Sequence, residues 1–190
     1  MSIFEGTTLD EARTILARYE GHERSALMPL LYLAQSVEGY VTREALREVA
    51  DLLGLRTAEV EAVASFYTML RLRPTGEHVV SVCTNLSCAL RGAKDVLRAA
   101  HDAAGVPESG ELSEDGLVTL HEEECLGVCE FAPVVQINAA NHDGVTPDGV
   151  RALIASLREG RVPEPSRGPA VGSFKEASRI LAGLELEGAE

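Results

Sequence analysis

The chain has 190 residues, 45% of them hydrophobic and 25% charged, which suits one larger domain or two small ones. Its formal net charge of −13, with no basic cluster, excludes nucleic acid as an expected partner, because a polyanion is bound through a cationic face. No apolar run reaches the roughly 18 residues of a membrane span, and "MSIFEGTTLDEART" has no basic or apolar signal region, so a cytoplasmic protein is expected.

Residues 1–73 read as a bundle of short helices. Thr8 and Glu11 form a capping box ahead of Leu9, Ala12, Ile15 and Leu16, which predicts a first helix. A second runs through "RSALMPLLYLAQSVEG" to Gly39, with Pro29 in its first turn or bending it. Thr42 caps a third, with Leu46, Val49, Leu52 and Leu53 on one face and Gly54 as its stop. Thr57 caps a fourth through "AEVEAVASFYTML", and Met28, Tyr32, Phe66, Tyr67 and Met69 are expected in the core. "RPTGEH" marks a domain boundary.

Over residues 74–160 the hydrophobic period changes. "HVVSVC" reads as a buried strand, Ala89–Ala100 as a helix and "GVPESGELSEDG" as a polar loop. "LVTLHE" and "PVVQIN" read as strands, and Thr146–Pro147 opens a helix ending near Gly160. Strand, helix, strand, strand, helix is the order of a small α/β layer structure. Residues 161–190 read as a Pro/Gly linker, "RVPEPSRGPAVG", a short helix near 173–183 and a polar tail.

The four cysteines fall in two pairs, Cys83-x4-Cys88 and Cys125-x3-Cys129, separated by 36 residues. Each pair follows a predicted strand and sits in a loop, so adjacent strand ends could gather all four sulfurs. In a reducing compartment such pairs bind metal or do redox chemistry more often than they form structural disulfides. Four thiolates repel one another and need a positive centre, which zinc or an iron–sulfur cluster supplies. Zinc ribbons favour a two-residue gap. A [2Fe-2S] rhomb is longer, and wider loops suit it. The small polar residues Thr84, Asn85 and Ser87, with Gly127 in the second loop, leave backbone N–H groups free to face cluster sulfurs. The spacing favours an iron–sulfur cluster over zinc, with a dithiol pair or core cysteines behind both. His22, His78, His101 and His142 read as surface or structural residues, His121 as a strand residue, and Glu122, Glu123 and Glu124 as a solvated charge run.

These motifs, "VCTNLSCALRGA" and "ECLGVCEFAPVVQIN", resemble the E-type subunits of NADH:quinone oxidoreductase, the respiratory complex I of bacteria. "ALMPLLYLAQSVEGYV" and "EVEAVASFYTMLRLRPTGEH" are similar to that family's helical region, and the likeness covers about residues 10–160. The resemblance implies an α+β or α/β chain: a short-helix bundle, then a thioredoxin-like ferredoxin domain with a small mixed sheet and one [2Fe-2S] cluster. It implies that Cys83 and Cys88 bind one iron and Cys125 and Cys129 the other. It further implies an FMN- and NADH-binding flavoprotein subunit as partner, with other peripheral-arm subunits nearby. The assembly would lie on the cytoplasmic side of the inner membrane, without insertion of this chain. No G-x-G-x-x-G follows a predicted strand, so NADH is not expected on this chain. The family's aromatic residue before the last helix is missing from "NAANHDGVTPDG". Thioredoxin-like folds often place a cis-proline beside their active site, but base rates favour a trans Ala132–Pro133 bond.

The function implied is one-electron exchange with the partner's FMN, with no catalytic side chain and no stand-alone activity expected. Similar subunits occur in NAD-dependent formate dehydrogenases and NAD-reducing hydrogenases. A structural zinc module and a thioredoxin-like disulfide oxidoreductase are the other classes. The absence of any C-x-x-C speaks against the last.

Overall fold

The computed structural model describes residues 2–184, in two compact units. The C-terminal polar tail lies outside the described residues after Leu184. No helix among the described residues is long and apolar enough to cross a membrane.

One unit combines the chain up to Pro74 with the residues from Lys175 onward. It holds helices α1 (Thr7–Ala17), α2 (Leu27–Glu38), α3 (Arg43–Leu53) and α4 (Thr57–Phe66), with a 3-10 turn at Glu23–Ala26 leading into α2. Helix α2 is apolar on most sides and lies centrally. Its Leu30, Leu31, Leu33 and Ala34 are fully buried with Ala12 and Ile15 of α1, Val49 of α3, and Val60 and Ala64 of α4. Thr42 caps α3 as expected, its hydroxyl accepting the Ala45 N–H at 3.0 Å.

The first helix departs from its predicted start. It begins at Thr7 after Gly6, so Thr8 lies inside the first turn, and Glu11 pairs with Arg179 at 2.5 Å instead of closing a capping box. Helix α4 begins after Arg56 rather than at a Thr57 cap, and stops at Phe66. Phe66 is 78% exposed and Tyr67 is exposed too, against the expectation that both are core. The reason is helical phase: the buried stripe runs through Val60 and Ala64, and Phe66 projects from the opposite side. The two rings meet edge to face, centroids 5.3 Å apart. Met28 and Tyr32 are partly buried against the core.

The last helix, α8 (Phe174–Leu181), completes this unit. Ser178 is fully buried, and its hydroxyl meets the Gln35 side-chain amide at 3.1 Å. Gln35 also accepts the Arg71 N–H at 2.7 Å and donates to the Met69 carbonyl at 3.1 Å, so this buried amide is well bonded.

The other unit spans Thr75–Phe174. Its strands are β1 (His78–Cys83), β2 (Glu111–Leu112), β3 (Val118–Glu123), β4 (Val135–Ile137) and β5 (Ala140–His142), in the sheet order β2-β3-β1-β4-β5. β1 and β3 are parallel and every other pairing is antiparallel, so the sheet is mixed. β1 is central and buried along its whole length, with Val79, Val80 and Val82 apolar and His78 and Ser81 buried polar residues. Helices α6 (Ala93–Ala104) and α7 (Pro147–Arg158) pack together. Their Val96, Ala100, Val150 and Ile154 join Val80, Val82, Leu120 and Ile137 in one core.

Three elements differ from the sequence expectation. The helix predicted over 89–100 is two: α5 (Leu86–Leu90) and α6, separated at Gly92, whose φ of +90° is left-handed and ends helical continuity. The polar loop contains β2, too short to carry a hydrophobic period. β5 follows β4 through Asn138 and Ala139, both at positive φ, a two-residue hairpin that "NAAN" does not announce. Asn138 supplies the missing order: its Oδ1 accepts the Val79 N–H at 3.0 Å and its amide nitrogen reaches His78 Nδ1 at 2.9 Å.

The Pro/Gly-rich stretch after α7 runs beside this hairpin. The Ser166 N–H donates to the Asn141 carbonyl at 2.9 Å, and Asn138 donates to the Val171 carbonyl at 3.2 Å.

Candidate metal centre

The sheet brings both cysteine pairs to one end of the molecule's α/β unit. Cys83 is the last residue of β1 and lies opposite Glu123, the last residue of the parallel β3. Chain leaving β3 therefore starts beside Cys83. It returns as β4, whose first residue, Val135, pairs antiparallel with Val82. The loop 124–134 is thus pinned at both ends around Cys83. The Cys83 N–H donates to the Val134 carbonyl at 3.1 Å, and its sulfur lies 3.6 Å from the Glu124 carbonyl.

Helix α5 presents Cys88. Asn85 caps it, its Oδ1 accepting the Leu86 N–H at 2.7 Å. Cys83 and Cys88 are both buried and pack with Ala93, Ala132 and Val134. Arg91, at the end of α5, donates from Nε to the Ala132 carbonyl at 2.7 Å and so ties the first cysteine segment to the second.

Cys125 and Cys129 are exposed, their sulfurs 3.9 Å apart. Gly127, at φ +75°, turns its N–H toward Cys125 Sγ at 3.4 Å. Cys129–Phe131 form a 3-10 turn. The following Ala132–Pro133 bond is cis, correcting the trans expectation, and the Pro133 carbonyl accepts the Val145 N–H at 2.9 Å.

The thiols sense one another. The Cys88 thiol is pushed up to about 11, first by burial, then by its contact with Cys83, with the charges of Cys83 and Cys129 adding to it. Cys129 is raised chiefly by Cys125, while the Ser87 hydroxyl works the other way and Cys83 adds a smaller push. Cys88 and Cys129 thus each feel a member of the opposite pair. A set of thiols that oppose each other's ionisation is stabilised by a cationic centre. Among the described residues, no three His, Cys, Asp or Glu side chains gather as the shell of a single ion. The all-sulfur donor set, met as pairs and with an N–H aimed at one sulfur, fits a two-iron cluster.

The structure places the buried Cys83 and Cys88 and the exposed Cys125 and Cys129 at the same end of the sheet. Sequence reasoning missed the framing residues. The run Glu122–Glu124 is more than a solvated charge run: the Glu122 carboxylate accepts the Thr84 hydroxyl at 2.7 Å, and the Glu123 carbonyl accepts the Thr84 N–H at 3.0 Å. The tie from Arg91 has no spacing signature. His121 stays in β3, opposite Ser81. Buried His78 and His142 are structural, the second held low by burial.

Comparison with known proteins agrees with this geometry. The model of the thioredoxin-like [2Fe-2S] ferredoxin family matches residues 12–158. The E-type NADH-quinone oxidoreductase subunit of Mycobacterium tuberculosis is 47% identical over 174 residues, which is 92% of this chain and 68% of the relative. NADH-quinone oxidoreductase subunit 2 of Thermus thermophilus is 40% identical over 139 residues, 73% of this chain and 76% of the relative. Among solved structures, an NAD+-reducing [NiFe]-hydrogenase in the H2-reduced state shares the fold, with a TM-score of 0.63 at 21% identity. That likeness covers 72% of this chain but only 22% of the hydrogenase chain. The chain belongs to the thioredoxin-like [2Fe-2S] ferredoxin family, among the E-type subunits of NADH-quinone oxidoreductases.

Proposed function

We infer that this chain is the [2Fe-2S] electron-transfer subunit of the NADH dehydrogenase module of an NADH-quinone oxidoreductase. Cys83 and Cys88 bind one iron, and Cys125 and Cys129 bind the other. The observation that carries the reading is the meeting of both cysteine pairs at one end of the sheet, in a chain of this family. When bound, a [2Fe-2S] cluster takes up and returns a single electron. The chain's own residues bind, orient and shield it. Cys83 and Cys88 approach from the packed side, and the Gly127 N–H offsets negative charge on Cys125. No side chain acts as acid, base or nucleophile.

The partner is the FMN- and NADH-binding flavoprotein subunit of the same complex, and the place is a peripheral arm on the cytoplasmic side of the inner membrane. Support comes from relatives that are subunits of an oxidoreductase complex. An equivalent subunit of an NAD-reducing hydrogenase shares the scaffold; identities of 39–47% to quinone oxidoreductase subunits favour the first reading.

Purified chain is expected to be red-brown, with equal iron and acid-labile sulfide and no zinc. Colourless protein with one zinc would overturn the cluster. Mass spectrometry of the native complex is expected to find a flavoprotein subunit and quinone oxidoreductase subunits; hydrogenase or formate dehydrogenase subunits in their place would overturn the assignment.

A further inference from the structure

Arg167 lies beyond the residues that the family model matches, in the stretch after α7. It nevertheless reaches the second cysteine turn. Its guanidinium carbon stands 4.6 Å from the centre of the Phe131 ring, within cation–π range. Phe131 belongs to the same 3-10 turn as Cys129. Arg167 is held there by Asp143, whose carboxylate lies 2.8 Å from Nη2 and is only 16% exposed. The backbone reinforces the arrangement. The Asp143 N–H donates to Ser166 Oγ at 2.8 Å, and the Gly144 N–H donates to the Phe131 carbonyl at 2.8 Å. Ring, ion pair and backbone bonds thus close a small circuit around the turn that carries Cys129.

We infer that Arg167 is a positioning residue for the cluster: through Phe131 it fixes the Cys129 turn, and with Asp143 it sets the local charge. This rests on the cluster reading above. A cluster held by four thiolates is anionic and gains negative charge on reduction, so a nearby cation favours the reduced form and a nearby carboxylate the oxidised form. Glu130 adds a negative charge within the same turn, and Arg91 is bonded to the Ala132 carbonyl just after it. Removing either member of the Arg167–Asp143 pair therefore shifts the balance, in opposite directions. A purely structural tie would not separate the two, because losing either partner opens the same circuit.

The test uses the full chain with its cluster, and iron and sulfide are counted first. Midpoint potentials are then measured by redox titration followed in visible circular dichroism. Arg167→Gln is expected to shift the potential negative and Asp143→Asn to shift it positive, with the double variant between them. Arg167→Lys is expected to stay near the parent potential. Arg167→Gln and Phe131→Leu are also expected to lose iron to a chelator several-fold faster than the parent. Shifts of the two single variants in the same direction, or no shift in either, overturn the inference while the cluster stands. A parent chain without iron and sulfide overturns the cluster reading itself. Should Arg167→Gln fail to hold a cluster, Arg167→Lys and Asp143→Asn decide: the opposite-sign argument survives only if the first keeps the parent potential and the second moves positive.

Discussion

The two cysteine pairs are built in different ways. Cys83 and Cys88 belong to regular elements, the end of a buried central strand and a capped helix, and both are out of solvent. Cys125 and Cys129 belong to a loop and a single 3-10 turn, and both are exposed. The difference separates anchorage from access. The first pair is placed by the packing of the whole unit. The second is placed on the exposed side by its own turns and by single ties from Arg91 and Arg167.

The largest effect should come from the anchored pair. Cys88→Ser places a hydroxyl among Ala93, Ala132 and Val134. The expected result is loss of the cluster and about 1–3 kcal/mol of stability in cluster-free protein, read by thermal unfolding. Cys125→Ser should leave the cluster-free protein as stable as the parent, while altering visible absorption and the paramagnetic resonance signal of reduced protein. Equal unfolding losses for the two would remove the contrast.

Glycines sharpen the same point at smaller amplitude. Gly92 and Gly127 are both left-handed, and a Cβ at either meets nothing within 4 Å, so each alanine carries only backbone strain of about 1–2 kcal/mol. At Gly92 that strain sits between two helices and should lower the unfolding midpoint. At Gly127 it should be absorbed by the exposed loop and appear as faster iron loss to a chelator, with little change in unfolding.

The smallest effect is expected at the far end of β3. Asp115 is held below the ordinary carboxylate range, first by the Ser113 hydroxyl and the Leu117 N–H, then by Arg158. The ion pair is partly exposed, so Asp115→Asn should cost no more than about 1 kcal/mol and leave the cluster spectrum unchanged. The depressed carboxyl favours the folded state above its unfolded pKa. That gain is lost as pH falls through the lower folded value, so the variant's deficit should vanish in acid. A deficit that persists there would point to a role other than charge.

How much of this was legible in the sequence follows the range of the signals. The placing of the two cysteine pairs after strands could be read because β1 carries Val79, Val80 and Val82 and β3 alternates through Val118 and Leu120. Helix α3 could be read because Thr42 and the stripe through Leu46 and Val49 are local. The break at Gly92 was hidden because one glycine within helix-forming residues is ambiguous. The exposure of Phe66 was missed because residue type alone suggested burial, although it lies off the Val60–Ala64 stripe; that of Tyr67 was hidden because α4 stops one residue before it. The second hairpin escaped because Asn138 holds its left-handed backbone through bonds to residues far away in the chain. Arg91 and Arg167 depend on tertiary contacts alone and leave no periodic or spacing mark.

The return of α8 to the helical unit has a consequence for the order in which the protein can be made. The cysteine-bearing unit is one continuous stretch, so all of its strands and helices exist before the last part of the chain is synthesised. The helical unit starts first and finishes last. Until Ser178 and Arg179 emerge, Gln35 lacks one of its bonds and Glu11 its cation. On a ribosome, the continuous segment with the four thiols can close before α8 emerges, while the Gln35–Ser178 and Glu11–Arg179 contacts of the helical unit form only once α8 is made.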